Sequence, residues 1–134
     1  MSVSSARLVQ QTAEEWTPTV MDYVAVIDRS ASDLTAQFGW TWTTGEEDGL
    51  GTMAYVGLGQ DGRSRFMLIA SVEDRGRGVA LEAAQGEDPA QARADFLAAL
   101  DLKPDVFLSI REGGVWFERW DEAKPPRIHR QLGI

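Results

Sequence analysis

Thr52–Ser71, TMAYVGLGQDGRSRFMLIAS, decides the fold. TMAYVGLG is long enough and apolar enough for a strand, and Gln60-Asp61-Gly62-Arg63 supplies the short polar connection of a hairpin. SRFMLIAS then runs almost continuously apolar. An exposed strand would alternate, so this run predicts a central position in the sheet. After the turn EDRGRG, the segment VALEAA (Val79–Ala84) adds a third strand, and the three fit an antiparallel meander.

Downstream of the meander, EDPAQARADFLAALDL carries a helix signal with a mechanism. Asp88 is placed to accept from the first free amides, and Pro89 sits at the first helical position, where its missing N–H costs nothing. Arg93, Phe96, Leu97 and Leu100 recur at helical spacing, which directs Phe96, Leu97 and Leu100 onto a sheet. Lys103-Pro104-Asp105 ends the helix. VFLSIREGGVWFERW then predicts a hairpin, with Val106–Ile110 joined to Val115–Trp120 through Arg111-Glu112-Gly113-Gly114. Strict alternation puts Phe107 and Ser109 opposite Leu108 and Ile110, leaving large apolar groups on both faces. Either the helix covers one side and a partner the other, or a bulge interrupts the period.

Upstream, YVAVI (Tyr23–Ile27) is rich in strand formers and predicts a strand followed by a short helix capped by Ser32, in preference to one continuous helix. GWTWTT alternates, so Trp40 and Trp42 share one face, and GEEDGLG after it predicts a loop. Ser2–Gln11, around Val3, Leu8 and Val9, suits a short edge strand. The fold class expected is α+β: one domain over 1–123, with a mostly antiparallel sheet of about five or six strands packed against one or two helices. Residues 124–134 form a basic, Pro-containing tail, in which Lys124, Arg127, His129 and Arg130 meet no acid and Pro125-Pro126 forbid a regular helix.

Charge and composition narrow the function classes. With 21 acidic and 13 basic residues the formal net charge is −8, a field that repels phosphate backbones and argues against nucleic acid as partner. With no cysteine there is no disulfide, thiolate metal site or cysteine nucleophile. No apolar run reaches the roughly 18 residues that a membrane-spanning helix needs, and the N-terminal segment lacks a secretory pattern, so no membrane role and a cytoplasmic location are expected.

Catalytic, cofactor and metal sites all lack a pattern. A single histidine, His129, would need carboxylates from elsewhere to hold a metal, and as a catalytic base it would act from the tail. GLGQDG lacks the spacing and following helix of a phosphate loop. Acidic residues at Glu46–Asp48 and around Glu73, Asp74, Glu87 and Asp88 carry chemistry only if the fold brings them together. No catalytic, cofactor-binding or metal residues are therefore assigned.

Five tryptophans in so short a chain carry the functional expectation. Tryptophan concentrates binding energy when its ring fills a partner's pocket, and flanking carboxylates steer a cationic protein toward it. The expected protein-binding residues are Trp40, Trp42, Glu46, Glu47, Asp48, Trp116, Glu118 and Trp120. They describe a noncatalytic acidic domain that binds a basic protein, as an inhibitor or neutralising, immunity-like partner. Two alternatives stand beside it. One is a small hydrolase or ligand binder with a pocket between helix and sheet, using Asp74, Arg75 or Arg77. The other is a homo-oligomer, such as a homodimer joined through the two-sided VWFERW.

Overall fold

The computed structural model describes residues 7–16, 20–47, 49, 51–72, 78–112, 114–118 and 128–129. They form an α+β fold in which nine strands make one antiparallel sheet, with two α-helices packed on it. The strands are β1 (Val9–Gln11), β2 (Met21–Ile27), β3 (Thr43–Glu47), β4 (Gly51–Gln60), β5 (Arg63–Ser71), β6 (Val79–Ala84), β7 (Phe107–Glu112), β8 (Val115–Glu118) and β9 (Ile128–His129). The helices are α1 (Ala31–Phe38) and α2 (Pro89–Leu100). Across the sheet the order is β1, β4, β5, β6, β2, β7, β8, β9, and β3 continues the β1 edge farther along β4.

The expected meander forms the body of the sheet. Asp61 and Gly62, both with positive φ, close the two-residue turn between β4 and β5. Arg65 is an extra residue where the register shifts between Leu58 and Gly59, a bulge that moves its side chain out of the regular alternation. The strand count exceeds the expected five or six because short pieces add to the sheet: β1 falls within the edge strand expected for Ser2–Gln11, whereas β3 and β9 are pieces that hydrophobic patterning alone does not mark.

Directly paired residues lie on the same face, so the register gives each face its composition. One row runs Val56, Leu68, Leu81, Ala25 and Ile110 across five strands. The first four of these are buried, and the core cluster on this face includes Leu34 of α1 and Ala92 and Phe96 of α2. Phe96 meets Phe66 edge-on at 5.4 Å between ring centroids and Phe107 at 6.4 Å, tying α2 to β5 and β7. The opposite row, Tyr55, Ile69, Ala80, Val26 and Ser109, is half-exposed except for Ser109. Both helices therefore cover one face.

The caps explain the helix boundaries. Asp88 accepts from the Gln91 amide at 3.1 Å and Pro89 opens α2, as the sequence predicts. For α1 the cap is Ser30 rather than Ser32: Ser30 Oγ accepts from the Asp33 amide at 3.1 Å while the Asp33 carboxylate accepts from the Ser30 amide at 3.0 Å. This reciprocal pair satisfies two amides at once, which a cap at Ser32 would leave unmet. The strand-then-helix order holds for β2 and α1.

Two further expectations are corrected. The loop anticipated over GEEDGLG is narrower, since β3 runs through Glu47 and β4 starts at Gly51, their ladder pairing Thr43 with Tyr55 through Glu47 with Gly51. In β7 the period is broken where it pairs with β2: Ile27 opposes Phe107, but Val26 opposes Ser109. Leu108 is thereby the extra residue, 37% exposed, while Phe107 and Ile110 both turn to the core face. The two-sided hydrophobicity of VFLSI is absorbed by this bulge.

Candidate functional site

The six expected binding residues that are described, Trp40, Trp42, Glu46, Glu47, Trp116 and Glu118, occupy two ends of the sheet. Trp40 and Trp42 precede β3, and Trp116 lies on β8, five strand spacings or roughly 24 Å from β4. Trp40 is buried and stacks on Phe38 with centroids 4.6 Å apart. Trp42 is half-buried against the core and its Nε1 donates to the Thr35 hydroxyl of α1 at 2.9 Å. The alternation of GWTWTT thus serves the packing of α1. Trp116 is 5% exposed, beside Tyr23 at 6.5 Å. Glu46 is exposed on β3 and accepts the Thr52 hydroxyl. Glu47 follows it in β3, and Glu118 pairs with Ser109 in β8. Asp48 and Trp120 lie outside the described residues, as do Asp74, Arg75 and Arg77.

What the structure leaves half-exposed is the sheet face opposite the helices. Met53, Tyr55, Met67, Ile69, Val26 and Tyr23 lie on it, with Glu82 between Met67 and Tyr23 in the pairing register. Trp16, from a 3-10 turn at Ala13–Glu15, lies over its β4 end and meets Tyr55 edge-on at 6.3 Å. Its indole rests on Gly57, where any side-chain Cβ would fall 2.3 Å from Nε1. Glycine at 57 is thus a packing requirement in the middle of a strand, and the Gly57–Gly62 run that superficially resembles a phosphate loop is strand and turn. The signal for this face was present in the sequence: MAYVG and FMLI both carry apolar groups at odd and even positions, so one set had to face away from the helices.

At one end of α2 two arginines organise the polar chemistry. Arg65 donates to Gln60 Oε1 at 3.0 Å, Glu87 Oε1 at 3.1 Å and Asp95 Oδ2 at 2.6 Å, with its guanidinium carbon 5.0 Å from the centre of the Phe66 ring. Burial pushes the Arg65 pKa down, but the hydrogen bonds it donates to Asp95 and Glu87 outweigh it and the net direction is up. The hydrogen bond from Arg65, reinforced by Gln91, holds the Asp95 carboxyl below the usual carboxylate range. Both groups are fixed charges near neutral pH, unsuited to shuttling protons. Beside them a cleft of ≈ 730 Å³ opens between the β4–β5 turn and the β6–α2 turn, lined by Gln60, Asp61, Arg63, Ser64, Arg65 and Glu87 among others.

Arg93 is the second, and sequence reasoning placed it on the helix without foreseeing its task. It is 6% exposed and donates to the carbonyls of Val24 at 3.1 Å and Arg111 at 3.0 Å, and to Glu112 Oε2 at 2.8 Å. Val24 lies in the register shift of β2 between Tyr23 and Ala25, where the ladder leaves a carbonyl in need of a donor. Arg93 is therefore a structural rivet between α2, β2 and β7.

Among the described residues no group of three His, Asp or Glu side chains is placed to hold a metal ion, and no helix is long and apolar enough to cross a membrane. The chain matches no protein-family model, no curated protein and no solved structure in comparisons with each.

Proposed function

We propose that this domain is a noncatalytic protein-binding module that docks a partner with a basic surface, in the manner of an inhibitor or neutralising protein. One observation carries the reading: an antiparallel sheet whose two helices both lie on one face, leaving Tyr55, Ile69, Met67, Val26 and Tyr23 half-exposed on the other. Contiguous apolar surface of this kind, rimmed by polar groups, is the common signature of a macromolecular contact. The net charge of −8 favours a cationic partner by steering the encounter. Compared with the aromatic patch expected from sequence, the surface shifts from the Trp40 and Trp42 region to the open sheet face.

Ile69→Arg tests it. The side chain is half-exposed on a central strand, so an arginine stem lies along the face with its charge in water and the fold persists. Wild-type and variant domains of matched thermal stability are immobilised and exposed to source-cell extract at low ionic strength. A basic protein retained by the wild type and released by the variant, with retention falling as salt rises, is the expected result. Equal retention by both domains rejects the open face as the docking surface.

A second reading, a small-ligand binder, has the ≈ 730 Å³ cleft in its favour, a volume within the range of ligand sites. Its deepest charge, Arg65, is already committed to three partners of the same chain, which places the protein-binding reading first.

A further inference from the structure

We propose that the trough over Gly57 and Gly59 is a recognition slot for a flat aromatic ring of the partner, and that the chain's own segment Val9–Trp16 is a strap that holds the slot closed. This rests on the docking reading above and adds where a partner's ring enters and what it displaces.

The trough is made by what β4 lacks. Gly57 and Gly59 pair with Met67 and Ser64 of β5, which places both glycines on the open face. Two bare positions on one face of a strand let another part of the chain approach closely. The strap uses both. A Cβ at Gly57 would run into the Trp16 indole, and one at Gly59 into the Gln11 carboxamide.

These two fillers are held differently. Gln11 is 8% exposed, and its Oε1 accepts the Ser64 hydroxyl at 2.8 Å, so its buried polar end is satisfied. Trp16 Nε1 is buried with no hydrogen-bond partner among the described residues. A buried donor left unpaired loses its hydration and gains nothing in return, which makes the indole the weakly held end of the strap. A ring without an N–H meets the same glycine floor and the same Tyr55 edge without that cost, and a phenylalanine side chain has that chemistry. The strap is also lightly tied, since β1 pairs with β4 at three positions. Glu14 and Glu15, both exposed, immediately precede Trp16, so a basic partner is steered to the cover itself.

Two variants of the full chain test the assignment. In Gly57→Ala the added methyl excludes the indole, and the β1 amides are expected to exchange at least about tenfold faster while those of β5 and β6 hold their protection. In Trp16→Ala the slot is vacated. N-acetyl-phenylalaninamide is then expected to bind at least about tenfold more tightly than to the wild type, because the closed strap no longer competes, and to shift the amide resonances of residues 55–59 and 67. Equal affinity for variant and wild type, equally tight binding of N-acetyl-leucinamide, or shifts confined to other strands overturns the slot. Exchange in β1 that is unchanged, or that rises only in step with the whole sheet, overturns the strap. Either result leaves docking through the open face to the separate Ile69→Arg measurement.

Discussion

The two faces of the sheet are built from the same strands yet hold the protein together very differently. On the helix-covered side Phe66, Leu68, Leu81 and Phe96 are fully enclosed. On the other, Ile69, Met67 and Tyr55 remain only partly buried although they alternate with those same core residues. The contrast teaches that apolar content along a strand does not by itself assign burial: what lies across the face does. Most of the fully enclosed side chains lie on the helix-covered side.

Truncation on each side gives the largest test of that contrast. Phe66→Ala is expected to cost about 3–5 kcal/mol, the range for a buried aromatic ring, whereas Ile69→Ala on the same strand costs roughly 1–2 kcal/mol because less of its surface returns to water. Chemical denaturation of the two variants measures the difference, and equal losses would show the open face to be as enclosed as the other.

A smaller effect is expected from Arg93→Ala. It leaves the Val24 and Arg111 carbonyls without their side-chain donor, at a cost of about 1–3 kcal/mol, and it loosens the junction of α2 with β2 and β7. Hydrogen exchange resolves the effect by region: the amides of β2 and β7 should open faster while those of β4 keep their protection relative to the global stability.

The smallest concerns pH. Asp95 has its folded-state pKa depressed by the Arg65 hydrogen bond, so its contribution is complete above the ordinary carboxylate value and is lost as pH falls from there through the folded value. Asp95→Asn should lower the melting temperature slightly at neutral pH and lose less than the wild type on acidification through that window. Parallel melting curves for both proteins, measured against pH, would remove the assignment.

Much of the scaffold was legible in sequence because its determinants are local. Asp61-Gly62 fixes a hairpin by backbone conformation, and Asp88-Pro89 starts a helix within one turn. What escaped depends on residues distant in the chain. Leu108 is displaced by a register set against β2, the Gln10 carboxamide of β1 bonds the Thr41 backbone 31 positions away, and Arg93 seeks the Val24 carbonyl 69 positions away. The candidate surface divided similarly. The carboxylates at Glu46 and Glu47 could be seen as an acidic stretch, but period-two spacing in GWTWTT is satisfied equally by a strand face or by rings packed on α1, and Trp40 and Trp42 took the second course.

The sheet order has a consequence for how the chain is made. β2 emerges early during synthesis, yet its two neighbours are β6 and β7, the second ending at Glu112. The hairpin of β4 and β5 can close as soon as it leaves the ribosome, since its ends are adjacent, and β6 can join it directly. The nascent strand of β2 must wait, unpaired, until most of the polypeptide is out, and loop closure over that span makes its insertion a slow, late event.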